Sequence, residues 1–531
     1  MKKIGIIAVA LCLVFALLLS GCNSTELWML FHGYTAFSDV EYTRPDVEAV
    51  RQAAKDLEAQ LQKEQKVEKL MEYVYAFYGA YHDFYTNYAL ADIYYCKDMT
   101  DLYWEDEYTY CLENGTDVDA LLDQILRALA ACPLKSELER EEYFGPGFFD
   151  AFQGESCWTE EFTALMEQEA QLVSRYYDLS AQALEAADEQ TYYAVYGTQM
   201  GQLFVEMVAL RQRIAEEAGY PDYLSFAYDF YYDRDYTPQQ AQLLLEEIRV
   251  ELVPLYRQTA MSDVWELGRA ECFEKQTYDY VKNCAAAMGG TVQEAFRLME
   301  AADLYDISYG ENKYNASFEI FLTSYFEPYV FLNPSLSVYD QLTFAHEFGH
   351  FCNDFASGGS VVGIDVAEIF SQGMEYLSLC YGEATAELQK LKMADCLSIY
   401  VEQAAYASFE QQVYSLTGED LTAENIYALY EQTGNSYGFD VWQWDSRSFV
   451  QVTHFFTNPL YVISYVVSND AALQIYQLER AEKGAGLKLY ESQLATLEGQ
   501  FLAFVESAGL ESPFVEGRLA DTRKLLEDML K

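Results

Sequence analysis

The segment Thr343–His350, which reads Thr-Phe-Ala-His-Glu-Phe-Gly-His, constrains this chain more than any other. On a helix, residues i and i+4 lie on the same face, so the imidazoles of His346 and His350 project in the same direction, with Glu347 beside them. This pattern is typical of a helix that binds Zn²⁺ through two histidines and carries a general base. The spacing therefore predicts one zinc ion per chain. An amphipathic core helix with ordinary packed histidines is the alternative.

A catalytic zinc site needs a third protein ligand and an open position for water. Glu368 follows His350 by eighteen residues and lies in the apolar run Val366-Ala367-Glu368-Ile369-Phe370. A buried carboxylate needs a compensating partner, and a metal ion is one. Glu375, seven residues further on, shares its helix face and is predicted to orient a ligand histidine through a hydrogen bond. Ion pairing is the alternative for both carboxylates.

Length and composition favour a two-lobed, mainly helical protein. The chain has 531 residues, which exceeds what one core usually holds, and only 10 prolines interrupt it. We predict an N-terminal helical lobe over 45–190 and a catalytic domain over 191–525. Apolar side chains recur at helical spacing in the first lobe, at Val67, Leu70, Met71, Val74 and Phe77. The 33 basic and 85 acidic residues give a net charge of −52, which argues against binding to nucleic acid.

Two short runs of aromatic and β-branched residues precede the histidine helix, at 318–322 and 329–332. They predict a small β-sheet beside the metal site, on which an extended peptide could pair. A small sheet with no ligand is the alternative. Ser335 or Ser337 is the expected N-cap of the histidine helix, and Thr237 is the expected N-cap of an earlier helix that starts at Pro238.

The N-terminus has the features of a bacterial lipoprotein signal. Two lysines precede an apolar run over 4–19, and the sequence Leu-Ser-Gly-Cys ends at Cys22. This pattern predicts that residues 1–21 are removed and that Cys22 is acylated, with 22–44 leading from the membrane to the fold. The protein is then expected outside the cytoplasm, on the cell membrane. An uncleaved membrane anchor is the alternative, although the apolar run is short for that. The nine later cysteines form no CxxC pair and neither indicate nor exclude disulfides.

Three blocks of sequence together resemble one known family. They are Phe-Ala-His-Glu-Phe-Gly-His at 344–350, Val-Ala-Glu-Ile-Phe-Ser-Gln-Gly-Met-Glu at 366–375, and His-Phe-Phe-Thr-Asn-Pro-Leu-Tyr-Val-Ile-Ser-Tyr at 454–465. The set is similar to the M3 zinc metallopeptidases, and within them to the oligoendopeptidase F-like branch. The resemblance implies a helix-rich, two-lobed body with a deep channel, a small sheet near the metal, and hydrolysis of peptide bonds in short peptides.

The same resemblance implies roles for individual residues. His346, His350 and Glu368 match the zinc ligands, Glu347 matches the catalytic base, and His454 matches a residue that stabilises the tetrahedral intermediate. A tyrosine is expected to assist, and either Tyr461 or Tyr465 fits, because Ile463 stands where some members have tyrosine. The third block also departs from better-known members, which carry a glycine-rich loop where this chain has Pro459.

Two other functions remain open from the sequence. A surface lipoprotein could bind peptides without cleaving them, although such a protein has no need of Glu347. A related zinc carboxypeptidase is the second alternative, because other families with the same histidine motif use similar helices.

Overall fold

The computed structural model describes residues 33–63, 66–140, 142–153, 156–183, 186, 188–359, 362–382 and 384–531. The predicted signal segment and Cys22 lie outside these ranges. Within them, no helix combines the length and the apolar character needed to cross a bilayer. All nine cysteines of the described part are free thiols.

The fold is mainly helical, as the sequence predicts, with one small sheet. Two π-helical segments, Tyr192–Gly197 and Ala227–Tyr231, interrupt the α-helices. The α-helices are α1 (Val47–Leu61), α2 (Val67–Lys97), α3 (Leu102–Ala130), α4 (Lys135–Leu138), α5 (Glu160–Ala183), α6 (Glu189–Thr191), α7 (Thr198–Glu217), α8 (Tyr223–Phe226), α9 (Pro238–Glu251), α10 (Val253–Ala260), α11 (Val264–Gly268), α12 (Glu274–Met288), α13 (Gly290–Ala301), α14 (Tyr339–Ser357), α15 (Ile364–Tyr381), α16 (Ala386–Val413), α17 (Ala423–Ser436), α18 (Thr453–Thr457), α19 (Ile463–Ala481), α20 (Ala485–Gln493), α21 (Phe501–Ser507) and α22 (Arg518–Met529).

The N-terminal helices have a hydrophobic core of their own. Helices α1, α2 and α3 pack on one another around buried side chains that lie between Val47 and Phe149. The five apolar residues of α2 that recur at helical spacing in the sequence are all buried, which confirms that helix. Helix α5 contacts α3 and packs more extensively on α7, and its Phe162 and Leu165 belong to the larger second core. The predicted division near residue 190 stays a prediction.

The expected lead-in from the membrane packs on the fold where it is described. Phe37 is buried, and its N–H donates to the carbonyl of Ala302 at 2.8 Å. The N–H of Thr35 donates to Glu327 at 2.6 Å. Residues 33–44 are therefore joined to the second core and to the sheet, because these contacts supply both apolar burial and backbone hydrogen bonds.

Three strands form the sheet, in the order β1-β3-β2: β1 (Tyr305–Asp306), β2 (Ser317–Leu322) and β3 (Glu327–Leu332). The central strand β3 pairs with β1 in parallel and with β2 in antiparallel register, from Ser317 opposite Leu332 to Leu322 opposite Glu327. All of β3 is buried, and α14 packs across β3 and β2. Strand β2 is an edge strand beside the histidine helix, which confirms the predicted sheet.

The two capping predictions have different outcomes. Helix α9 starts as expected: the Thr237 side chain accepts from the N–H of Gln240, and Gln240 bonds back in a capping box. The prediction for α14 is wrong, since neither serine is its N-cap. The N-cap is Val338, one residue after Ser337 and three after Ser335, and the first-turn residue Asp340 accepts the N–H groups of Ser335 and Ser337 at 2.9 and 3.0 Å. The buried carboxylate of Asp340 thus fixes the loop before α14 by hydrogen bonds, and neither serine side chain caps the helix.

Candidate metal centre

Two helices bring three metal-ligating side chains together. Helix α14 carries His346 and His350, whose ring centroids lie 5.1 Å apart, and α15 carries Glu368. The Nε2 atoms of the two histidines lie 3.4 Å and 3.8 Å from the carboxylate oxygens of Glu368. One ligand atom from each residue lies within 4.8 Å of the others, so the structure gathers the three predicted ligands at one point.

The helices meet closely because a glycine faces the contact. A Cβ at Gly349 would lie 2.5 Å from the carbonyl oxygen of Phe370 and 2.6 Å from the Cα of Ser371. Only glycine therefore allows α14 to approach the backbone of α15 at this level. This close approach places Glu368 beside the histidines, and a larger residue would push the third ligand away.

Charge is unevenly distributed over the three side chains. Burial raises the pKa of a carboxyl group, but at Glu368 the hydrogen bond from His346 and the nearby imidazole charges outweigh burial and lower its pKa to about 2. Burial lowers the pKa of His350 to about 4. Burial also opposes a proton on His346, yet hydrogen bonds to Glu368 and Glu375 raise its pKa well above the ordinary value. Glu368 is thus an anion, the form that binds a cation.

The donor set fits zinc. Two imidazole nitrogens and one carboxylate oxygen are the three ligands of a well-known class of catalytic zinc site. In a tetrahedral site, ligand atoms about 2.1 Å from the ion lie roughly 3.4 Å apart, close to the distances from each histidine to Glu368. His346, His350 and Glu368 would hold the ion, and no other group of three or more ligating side chains is found in the described part of the chain.

Glu375 lies where the sequence predicted it, behind a ligand histidine. Its Oε1 lies 2.8 Å from Nδ1 of His346, which leaves Nε2 of that ring facing Glu368. Its other oxygen accepts from the ammonium of Lys392 at 2.6 Å, and Lys392 also bonds Asp395 at 2.8 Å. Lys392 is fully buried, and the sequence analysis missed it. Its position in the apolar run Leu391-Lys392-Met393-Ala394 was the available signal.

Glu347 faces open space beside the histidine helix. It lines two cavities, of about 440 Å³ and about 540 Å³, and His346, His454 and Tyr465 line both of them as well. Burial raises the pKa of Glu347 to about 7, against the lowering effect of His346 and of Ser317. A carboxyl group with a pKa near neutrality can both accept and return a proton, which is what a general base requires.

His454, Tyr461 and Tyr465 converge on the same space, but their hydrogen bonds differ. The hydroxyl of Tyr461 donates to Oε1 of Glu368 at 2.6 Å. The hydroxyl of Tyr465 lies 3.2 Å from Nε2 of His454. Burial lowers the pKa of His454 and raises the pKa values of both tyrosines well above their usual range. All three are therefore neutral hydrogen-bonding groups near pH 7.

Buried ionisable side chains from distant elements hold residues 453–465, here called the His454 segment. Arg211 donates to the carbonyls of Phe455 and Phe456 and pairs with Glu169 at 2.6 Å. Glu410 accepts the N–H of Leu460 at 2.6 Å, at a residue with a left-handed φ of 64°.

Arg234 completes this support. It donates to the hydroxyl of Ser464 at 2.9 Å and pairs with Asp365, on the first turn of the Glu368 helix, at 3.3 Å. The sequence analysis gave no role to Arg211, Arg234 or Glu410. Arg234, which lies among tyrosines, offered a weak signal, and the other two offered none.

Comparison with known proteins finds one matching domain model and several solved structures with a similar fold. Residues 37–155 match the family model described as the Peptidase M3 N-terminal domain. Among curated protein sequences, none matches the chain significantly. The solved structure of PZ peptidase A with an inhibitor is similar over 93% of this chain and 99% of its own, with 19% identity and a TM-score of 0.81.

Two further structures share the fold at lower similarity. Oligoendopeptidase F from Enterococcus faecium matches over 91% of this chain and 96% of its own, with 14% identity and a TM-score of 0.59. An M32 carboxypeptidase from Deinococcus radiodurans matches over 90% and 99%, with 14% identity and a TM-score of 0.50. Residues 37–155 thus correspond to an M3 N-terminal domain, and the chain as a whole has the fold of these peptidases.

Proposed function

We propose that this protein is a zinc-dependent metallopeptidase of the M3 family, close to the oligoendopeptidase F branch, that hydrolyses peptide bonds in short peptides. One observation carries the proposal: His346, His350 and Glu368 converge while Glu347 faces the same open space. A peptide-binding protein without activity would need neither the ligand set nor a base beside it. Bound zinc would supply a Lewis acid and a water molecule of lowered pKa.

Each side chain then has its own role in peptide hydrolysis. Glu347 accepts the proton of the attacking water and returns it to the leaving amine. His454 and one tyrosine donate hydrogen bonds to the oxyanion of the tetrahedral intermediate. Glu375 holds the ring of His346 in the orientation that a ligand needs.

Tyr465 is the tyrosine that suits the oxyanion. Its hydroxyl lies beside His454 and faces both cavities with Glu347, whereas the hydroxyl of Tyr461 is engaged by Glu368. We expect Tyr465→Phe to lower kcat about a hundred- to a thousandfold with zinc content unchanged, because one oxyanion donor is lost. Tyr461→Phe should mainly weaken zinc binding. The reverse result, with kcat lost only in Tyr461→Phe, would assign the oxyanion role to Tyr461.

Substrate peptides are expected to lie along the edge strand β2. Ser317 of that strand lines both cavities with Glu347, so a peptide paired with the strand would pass the base. A carboxypeptidase would need a cation for the terminal carboxylate of its substrate. The described residues that line the two cavities include no lysine or arginine, and they include Glu319, Asp354 and Asp395. This lining favours endopeptidase action.

A peptide digest tests the activity. Zinc-loaded protein should cleave a mixed peptide library, and a chelator should stop the cleavage. Peptides with amidated C-termini should be cleaved as well as free acids, whereas a carboxypeptidase would spare them. Recovery of every peptide intact but bound would favour the peptide-binding lipoprotein instead.

Two variants test the assigned roles. Glu347→Gln should retain zinc and lose about a hundredfold or more in kcat, because the general base is removed. Glu368→Ala should lower the zinc content measured by elemental analysis. Wild-type cleavage rates in Glu347→Gln would show that another group is the base, and unchanged metal in Glu368→Ala would remove it from the ligand set.

We further propose that the protein is a lipoprotein, anchored to the cell membrane through Cys22 and facing outside the cytoplasm. The signal pattern that ends at Cys22 supports this placement. Labelled fatty acid should be incorporated by the wild type and not by Cys22→Ala. Equal labelling of both would contradict acylation at this residue.

A further inference from the structure

A separate cavity of about 430 Å³ lies where the N-terminal helices meet the metal-binding region. Tyr85 and Tyr88 of α2 and Asp119 of α3 form one wall, and these residues lie inside the part that matches the M3 N-terminal domain. Tyr231 and Tyr232 contribute to the opposite wall, beside residues 457–459 of the His454 segment. The cavity therefore exists only where the two parts of the chain are assembled.

This cavity is close to the metal centre. Asn458 lines both this cavity and the larger cavity beside Glu347. The ring of Tyr232 packs edge-on at 6.3 Å against Tyr461, whose hydroxyl bonds Glu368. One aromatic ring thus separates the cavity wall from a metal-binding carboxylate. Since an extended peptide advances about 3.3 Å per residue, a side chain two or three residues from the cleaved bond can reach the cavity.

The chemistry of the cavity is aromatic and acidic. Four tyrosines line it, and rings of this kind attract cations at their faces. The carboxylate of Asp119 accepts a hydrogen bond from Tyr85, and no ion pair to Asp119 occurs among the described residues. The other acidic side chain of the lining, Glu169, is already paired with Arg211. Asp119 is therefore the acidic group in this lining without a cationic partner.

The raised pKa of Asp119 is consistent with a carboxylate that has no positive charge beside it. Burial raises the pKa of Asp119 to about 6, the direction expected when a carboxylate leaves water without meeting a positive charge. No lysine or arginine is present among the described residues that line the cavity. An apolar or aromatic side chain that entered would bury the Asp119 charge further without compensating it, whereas a cation would compensate it.

We propose that this cavity is a specificity subsite that receives a lysine or arginine side chain of the substrate, and that Asp119 selects it. The proposal rests on the peptidase function proposed above. The ammonium or guanidinium group pairs with the Asp119 carboxylate, and its aliphatic stem lies against the tyrosine rings. The net charge of −52 favours the approach of such cationic peptides over long range.

The test is a scan with matched peptides. Zinc-loaded full-length protein is assayed on quenched fluorescent peptides in which one position at a time carries lysine, norleucine or phenylalanine. At one position within about three residues of the cleaved bond, lysine should exceed norleucine in kcat/KM by about tenfold or more, as a charge-assisted contact allows. Asp119→Asn should bring the lysine to norleucine ratio of kcat/KM at that position to about one. Glu113→Gln, an exposed change of the same charge on the same helix, should preserve it.

Other results would contradict the subsite, the role of Asp119 or the peptidase function. Equal cleavage of lysine and norleucine peptides at all positions, or a preference for phenylalanine, would overturn the subsite, and this comparison uses the wild type alone. A lysine advantage that survives in Asp119→Asn would overturn the role of Asp119. If no peptide is cleaved in a chelator-sensitive way, the peptidase proposal fails. The affinities of the same lysine and norleucine peptides, measured by isothermal titration calorimetry, then decide the subsite separately.

Discussion

Two regions meet at the candidate metal centre: the ligand helices α14 and α15, which carry His346, His350 and Glu368, and the His454 segment. Different interactions hold each region in place. His346, His350 and Glu368 sit on two long helices, and helical periodicity together with the close approach at Gly349 puts them in one place. The His454 segment is a five-residue helix, a turn and the start of α19. Side chains distant in sequence fix its backbone.

Under the proposed function, the side chains that would bind zinc and those that would stabilise the oxyanion therefore depend on different supports. The positions of His346, His350 and Glu368 depend on helical periodicity and on the contact between α14 and α15 at Gly349, so a change behind the His454 segment should disturb them less than it disturbs His454 and Tyr465. The position of His454 and Tyr465 depends on the buried guanidinium groups of Arg211 and Arg234 and on the buried carboxyl group of Glu410. Such groups are costly to bury, and removing one partner leaves the other uncompensated.

Arg211→Met is expected to have the largest effect on the His454 segment. This change leaves Glu169 buried without its partner and removes the donors to the carbonyls of Phe455 and Phe456. We expect the free energy of unfolding in urea to fall by about 3–5 kcal/mol, as for other broken buried ion pairs. Peptide cleavage should fall as well, while zinc affinity stays within a few-fold of wild type.

Arg213→Met is the matched control on the same helix. Arg213 is exposed and pairs with the exposed Glu161 at 3.5 Å, so the loss should stay below about 1 kcal/mol. If Arg211→Met lost zinc in proportion to activity, the ligand helices and the His454 segment would not be separable.

The same contrast explains what the sequence could predict. The helix of His346 and His350, the strand pair before it, the capping box at Thr237 and the position of Glu375 follow from local spacing, and the structure has them. The hydrogen bonds from the loop to Asp340 are also local, but whether a serine caps the helix or Asp340 binds the loop depends on how the loop from β3 enters the helix.

Contacts between residues that are distant in the chain could not be predicted from local spacing. Arg211 lies 244 residues from Phe455, and Glu410 lies 50 residues from Leu460. Spacing within one element carries no information about either pairing, because the packing of several elements decides it. The choice between Tyr461 and Tyr465 belongs to the same class, since both are tyrosines on one short segment.

Lys392→Met tests how His346 is held in position for zinc binding. Without the ammonium group, the buried carboxylate of Glu375 and the partly exposed carboxylate of Asp395 lose their shared cation. We expect Glu375 to hold His346 less firmly, and zinc affinity measured by competition with a chelator to fall about 10- to 100-fold. Activity at saturating zinc should be affected much less. Lys390→Met, an exposed change two residues away, should leave the affinity unchanged.

An unchanged zinc affinity in Lys392→Met would show that Glu375 holds His346 without help from the buried lysine. Lys392→Arg should restore part of the affinity, because a positive charge returns to the same place. Failure of Lys392→Arg to differ from Lys392→Met would point to packing as the cause of the loss.

The effect expected at Glu410 depends on pH. Burial raises the pKa of Glu410 to about 8, although the N–H of Leu460 and the nearby arginines oppose this shift. A carboxyl group with a raised folded-state pKa gives its full stability below the unfolded-state value, near 4.5, and loses it as pH rises toward 8. We expect wild type to lose about 1–3 kcal/mol more between pH 6 and pH 8 than Glu410→Gln, measured by urea unfolding at each pH. Glu431→Gln, an exposed change, should follow the wild type. Parallel pH profiles for wild type and Glu410→Gln would mean that Glu410 is ionised in the fold, and that the arginines around the His454 segment compensate it.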